Sequence, residues 1–215
     1  MSYTGAVITD GPWQDHVDGA VIIRKFAVES FDNNVYIVAC AKSKQALVVD
    51  AAARPERIVE AASEFDVVGV VQTHGHWDHV RAWDDLVAAG WDIWGHDADQ
   101  SLYPAPIARH LDDNTILTVG SLAVQVIHLP GHTEGSLLFA VAGTSRHHII
   151  SGDTLFPGGH GKTTTLNDHA RIMDGLEQRI FAAFPDDTWV YPGHGADTTL
   201  GAERGQLGEW RARGW

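Results

Sequence analysis

A chain of 215 residues with 44% hydrophobic and 20% charged residues can bury a full core as one domain, which excludes a disordered protein. Its net charge of −13 makes phosphate backbones poor partners and so argues against nucleic acid. No apolar run reaches the ~20 residues of a membrane helix, which leaves a small-molecule partner and no membrane association as the expectation.

The first residues, Met1 to Gly5, carry no basic segment followed by an apolar run, so no signal peptide is expected. Residues 20–23 and Phe26 read as a strand, and Asn33-Asn34 reads as a turn. Residues 35–39 and 46–49 are further strands, the second ending at Asp50. Cys40, the single cysteine, follows Ala39 as a small core residue; with no partner it forms no intrachain disulfide, which fits a cytoplasmic protein. Residues 54–65 place Ile58, Ala61, Ala62 and Phe65 at helical spacing. Residues 67–71 form a short buried strand, and residues 80–89 a second helix. Strands are predicted at 122–127, 137–141 and 148–150, an amphipathic helix at 168–183, a strand at 189–191 and a closing helix at 202–213. Strands first, then strands alternating with helices, predict an α/β protein with two sheets inside and helices outside.

Thirteen histidines are many for this length, and five of them are not scattered. Thr73-His74-Gly75-His76-Trp77-Asp78-His79 follows the strand at 67–71 and offers four metal-ligand side chains within six residues. A loop can fold them toward one point; a regular strand would send them to alternate faces. Three more candidates each follow an apolar strand and have small or rigid neighbours: Pro130-Gly131-His132-Thr133-Glu134-Gly135-Ser136, Gly152-Asp153-Thr154-Leu155-Phe156, and Gly193-His194-Gly195. A lone Pro-Gly-His or Gly-Asp is usually a turn; four such segments in this order describe a metal site.

Over residues 20 to 200 these motifs resemble the metallo-β-lactamase-fold superfamily, and within it the glyoxalase II-like hydroxyacylglutathione hydrolases. The resemblance implies a single-domain, four-layer αβ/βα sandwich with two divalent metal ions, zinc first and iron or manganese as alternatives. It assigns His74, His76 and His132 to one metal, Asp78, His79 and His194 to the other, and Asp153 to both. It also gives Asp78 a catalytic part in orienting the attacking water. Asp50 matches a position near the site and is assigned to orienting a ligand histidine. The implied reaction is thioester hydrolysis by metal-activated water.

Departures from the family narrow the reading. Metallo-β-lactamases proper do without the bridging aspartate, so Asp153 argues against antibiotic hydrolysis. Only 21 residues follow His194, so the glutathione-binding helical domain is expected to be absent. The substrate loop reads Gly159-His160-Gly161-Lys162-Thr163-Thr164, where the family has a cysteine at the second position and an aromatic after the basic residue. His160 and Lys162 are the candidate substrate contacts, and the carrier thiol is expected to be other than glutathione, such as mycothiol or coenzyme A. The alternatives are a one-iron persulfide dioxygenase, a lactonase or phosphodiesterase of the same fold, and a non-catalytic metal-binding protein.

Overall fold

The computed structural model describes residues 3–29 and 31–214. In chain order the elements are β1 (Gln14–Asp18), β2 (Val21–Val28), β3 (Asn33–Cys40), β4 (Gln45–Val49), α1 (Pro55–Ala62), β5 (Asp66–Val71), α2 (Trp83–Ala88), β6 (Ile93–Gly95), β7 (Arg109–His110), β8 (Ile116–Val119), β9 (Leu122–His128), β10 (Leu137–Ala142) and β11 (His147–Gly152). A small ribbon of β12 (Leu155–Phe156) and β13 (Gly159–His160) follows. Then come α3 (Leu166–Gly175), β14 (Trp189–Pro192), β15 (Thr198–Thr199), α4 (Leu200–Glu203) and α5 (Leu207–Arg213).

One sheet has the order β1 to β7, the other β15-β14-β11-β10-β9-β8. Period-two alternation splits each central strand between two layers. In β3, Val35, Ile37 and Ala39 face α1 and α2, while Tyr36, Val38 and Cys40 face the second sheet. In β10, Leu137, Phe139 and Val141 meet them across the middle, and Leu138 and Ala140 turn toward α3 and α5. Three apolar layers thus lie between four layers of secondary structure, the αβ/βα sandwich that the family resemblance implies.

The helices expected over 54–65 and 80–89 are shorter, Pro55–Ala62 and Trp83–Ala88, and the other two differ more. The helix expected over 168–183 starts at Leu166, because Thr165 caps it by accepting from the Asp168 N–H at 3.1 Å. From Leu176 to Phe181 it continues as a π-helix. The closing helix expected over 202–213 is broken by a 3₁₀ turn at Arg204–Gln206, where Gly205 weakens helical propensity.

The turn expected at Asn33-Asn34 is a correction. Both residues open β3 and are buried, and the chain reverses one step earlier, where Glu29 and Asp32 take positive φ of 59° and 52°. Tertiary hydrogen bonds override the local turn preference, since Asn34 Nδ2 donates to the carbonyls of Pro192 and Gly195 at 2.9 and 3.0 Å. At this edge the sheets are joined backbone to backbone: Leu137 N–H donates to Thr73 O, and Asn34 N–H to Gly193 O, each at 2.7 Å.

Candidate metal centre

The parallel strands β5, β11 and β14, together with β9, deliver four loops to the edge where the sheets meet. After β5 the chain turns through a single 3₁₀ turn, Trp77–His79, which brings His79 back beneath His74. The two rings are 4.2 Å apart between centroids and almost wholly buried.

All seven predicted ligand residues meet here. Their donor atoms fall into three overlapping groups: His74 with His76 and His132, His74 with His79 and Asp153, and Asp78 with His79 and His194; within each group the atoms lie within 4.8 Å of one another. The Asp153 carboxylate sits between the halves, 3.6 Å from His132 Nε2, 3.4 Å from His79 Nε2 and 3.5 Å from His194 Nε2. Asp78 Oδ2 lies 3.4 Å from His194 Nε2 and 3.7 Å from His79 Nε2.

The far side of the rings decides which nitrogen faces the centre. His79 Nδ1 donates to Asp50 Oδ2 at 2.8 Å, His132 Nδ1 to the Lys162 carbonyl at 2.8 Å, and His194 Nδ1 to the Phe31 carbonyl at 2.7 Å. The Thr73 hydroxyl spends its proton on Asp50 Oδ2, so at 3.0 Å it accepts from His74 Nδ1. Four imidazoles are therefore protonated on Nδ1 and present Nε2 lone pairs inward. His74 Nε2, His132 Nε2 and Asp153 Oδ1 are buried with no hydrogen-bond partner. His79 Nε2 and His194 Nε2 face each other at 3.2 Å, an arrangement that needs a cation or a shared proton between them. Neutral imidazoles with carboxylates are the donor set of Zn²⁺ and related divalent ions, so these residues fit metal.

The electrostatics agree. Burial, then the neighbouring His79, push His74 well below the usual histidine range, and burial also lowers His132, so both stay neutral and free to ligate. Burial pushes His79 down too, but Asp153 and Asp50 outweigh it and hold the group up at about 9. Burial alone would raise Asp153; the surrounding histidines, His79 foremost, keep it an anion well below the usual carboxylate range. Buried anions with imidazoles that would otherwise take up protons are a site made for positive charge.

Several contributors carried no signal in the sequence. Asp99, 1% exposed, accepts from Gly75 N–H, Gly135 N–H and the Thr133 hydroxyl at 2.7–2.8 Å, tying the His74 loop to the His132 loop. Asn33 Nδ2 donates to Asp78 Oδ2 at 3.0 Å. Lys25, fully buried and paired with Asp197, donates to the Gly195 carbonyl at 2.7 Å and so braces the His194 turn. Gly193 is required for space, because a Cβ there would fall on Asp153 Oδ1.

The two candidate substrate contacts are placed differently from each other. Lys162 is exposed, and only its backbone carbonyl touches the site. His160 is 7% exposed and faces α3: its Nδ1 bonds the Gly161 carbonyl at 2.7 Å and its Nε2 bonds His169 Nδ1 at 3.1 Å. Both ring nitrogens are thus engaged within the protein, the arrangement of a packing residue rather than of a side chain held open for a ligand.

Comparison with known proteins fits this geometry. Residues 29–194 match the Metallo-beta-lactamase superfamily profile. An uncharacterized protein of Aquifex aeolicus is 32% identical over 201 residues, covering 86% of this chain and 94% of its own. A probable hydroxyacylglutathione hydrolase of Schizosaccharomyces pombe is 31% identical over 171 residues, covering 76% of this chain; the match spans 64% of that relative's length. Among solved structures, TTHA1623 in a di-iron-bound form superposes with a TM-score of 0.69 at 26% identity, covering 84% of this chain and 96% of that one.

Proposed function

The chain belongs to the metallo-beta-lactamase superfamily and is a metal-dependent hydrolase of that fold, and from that premise we propose that it hydrolyses a thioester of a small thiol carrier, using two divalent metal ions. The observation that carries the proposal is the pair of half-sites with Asp153 between them. A complete Asp78–His79–His194 group beside the His74–His76–His132 group supports room for a second ion. His74, His76 and His132 would hold one ion, Asp78, His79 and His194 the other, and Asp153 both, with zinc best matched to the donors. Metals bound there supply Lewis acidity and lower the pKa of water to about 7. Asp50, through His79, and Asn33, through Asp78, keep ligand atoms aimed inward. Asp78 orients the attacking water and can take its proton.

The likeness to the fission-yeast protein supports a thioester substrate. The altered substrate loop supports a carrier other than glutathione, with the exposed Lys162 ammonium available to a carboxylate or other polar group on it. Among the described residues no helix is long and apolar enough to cross a membrane, and the one cysteine is buried and free. We place the reaction in the cytoplasm on a small molecule. Metal analysis coupled to a panel of thioesters, lactones and phosphodiesters tests the proposal. About two metals per chain with preferential thioester cleavage is the expected outcome. One iron per chain with oxygen consumption, or cleavage confined to lactones or phosphodiesters, would overturn it.

A further inference from the structure

Three large hydrophobic side chains that stand open to solvent gather on one side of the metal centre, two of them tied to the His74–His79 segment and one to His194. Trp77, 58% exposed, lies between His76 and Asp78. Phe31, 55% exposed, meets the Trp77 ring edge-on at 5.4 Å, and its carbonyl holds His194. Leu102, 45% exposed, packs so closely on Gly75 that a Cβ there would lie 2.6 Å from its own. Behind this rim is a cavity of about 330 Å³ lined by the apolar Trp77, Val80, Trp83, Leu102 and Pro104 and by the charged Arg81 and Asp84. Arg81 lies over the Trp77 ring, 5.6 Å from its centroid, and its charge is met by Glu29. Clustered exposed apolar groups mark a binding surface where scattered ones do not.

We propose that this cavity, with the Phe31–Trp77 edge as its entrance, seats the acyl group of the substrate, and that this group is an uncharged alkyl or aryl chain. The inference rests on the thioester reading above and narrows it to one substrate class. Trp77 stands between the ligands His76 and Asp78 and Val80 follows His79, so the cavity adjoins the ligand loop and its occupant would lie beside the reacting carbonyl. Arg81 is paired with Glu29 and the other charged lining residue, Asp84, is an acid, so the cavity does not welcome a second carboxylate. At roughly 30 Å³ per liquid-packed heavy atom the cavity takes about ten such atoms, a medium-length chain.

The test is a ladder of N-acetylcysteamine thioesters, acetyl through butanoyl and hexanoyl to octanoyl, on the metal-loaded protein. Full burial of each methylene predicts a rise in kcat/KM of about fourfold per CH₂, with a plateau once the cavity is full. Leu102→Ala and Phe31→Ala should flatten that slope, cutting the octanoyl-to-acetyl ratio by about fivefold or more. Both side chains are exposed, and the carbonyl that holds His194 survives in Phe31→Ala. Calorimetric binding of the matching alkanoates to metal-loaded protein gives the same ladder without turnover. A flat ladder in both assays, or a steep one that neither substitution flattens, overturns the acyl seat while leaving thioester cleavage standing. Uncut thioesters with a steep alkanoate ladder that Leu102→Ala flattens would overturn the thioester reading and keep the apolar seat.

Discussion

Replacing Asp50 by asparagine keeps the side chain's volume and changes only what it can accept. Asp50 Oδ2 accepts from His79 Nδ1 and from the Thr73 hydroxyl, each at 2.8 Å, and Oδ1 from the Thr73 N–H at 2.7 Å. An amide has one acceptor oxygen, and the Thr73 N–H claims it. The NH₂ then faces Thr73 Oγ1, which can turn to accept, and His79 Nδ1, which can accept only if its proton moves to Nε2. That tautomer offers the metal a proton in place of a lone pair. Loss of such an outer partner costs about 10- to 100-fold in metal affinity, or about 1.4–2.8 kcal/mol. The Thr73 hydroxyl loses the acceptor for its proton, so the metal-free protein should itself lose about 1–3 kcal/mol. Chelator-competition titrations should therefore show the His79-side step weakened by about 10- to 100-fold, with the His74–His76–His132 step nearly unchanged. Melting curves should show a loss in the metal-free form and a further loss in the loaded form that matches the weakened binding. Two unchanged dissociation constants, or equal weakening of both, would refute the idea that Asp50 acts through His79.

Asp153→Ala removes the carboxylate that sits between both halves; metal content should fall from the proposed two per chain and turnover by orders of magnitude, with circular dichroism unchanged because the residue lies in the turn after β11 instead of filling the core. Lys162→Ala leaves in place the carbonyl that holds His132, so steady-state kinetics should show a raised KM for the carrier thioester and little change in kcat, the signature of a contact equal in ground and transition states; a matching fall in kcat would place the ammonium at the reacting centre. Asp18, 7% exposed, tests the pH dependence: burial would raise it, but the N–H of Ser145, then His148, bring it down from 3.8 to about 2. A depressed carboxyl stabilises fully above its unfolded value and loses that contribution as pH falls through about 2, so Asp18→Asn should cost about 2 kcal/mol in urea unfolding at pH 7 and almost nothing near pH 2. An equal cost at both pH values would mean the loss is packing and not charge.

The ligand segments and the layered α/β architecture were legible in the chain because both are written in short-range patterns. Residues 35–39 and 137–141 are continuous apolar runs, the mark of strands covered on both faces, and a His-x-His-x-Asp-His run at a strand end has few other uses. The shortest elements were not legible. Strands β6 and β7, of three and two residues, are stabilised by parallel partners rather than by their own composition. Asn33 and Asn34 have the local chemistry of a turn, and only their distant partners, Asp78 and the Pro192 and Gly195 carbonyls, draw them into a strand. What orients the metal ligands was hidden for a related reason. His132 and His194 are held by backbone carbonyls of Lys162 and Phe31, a group every residue possesses, so no side chain announces the role. Asp99 bonds two loops that lie 24 to 36 positions away, and Lys25 reaches Gly195 across 170. Sequence patterns record which side chains seek the core and which can bind a metal; the proton on each imidazole is set by whatever the fold brings to its far side, and that depends on contacts between segments remote in the chain.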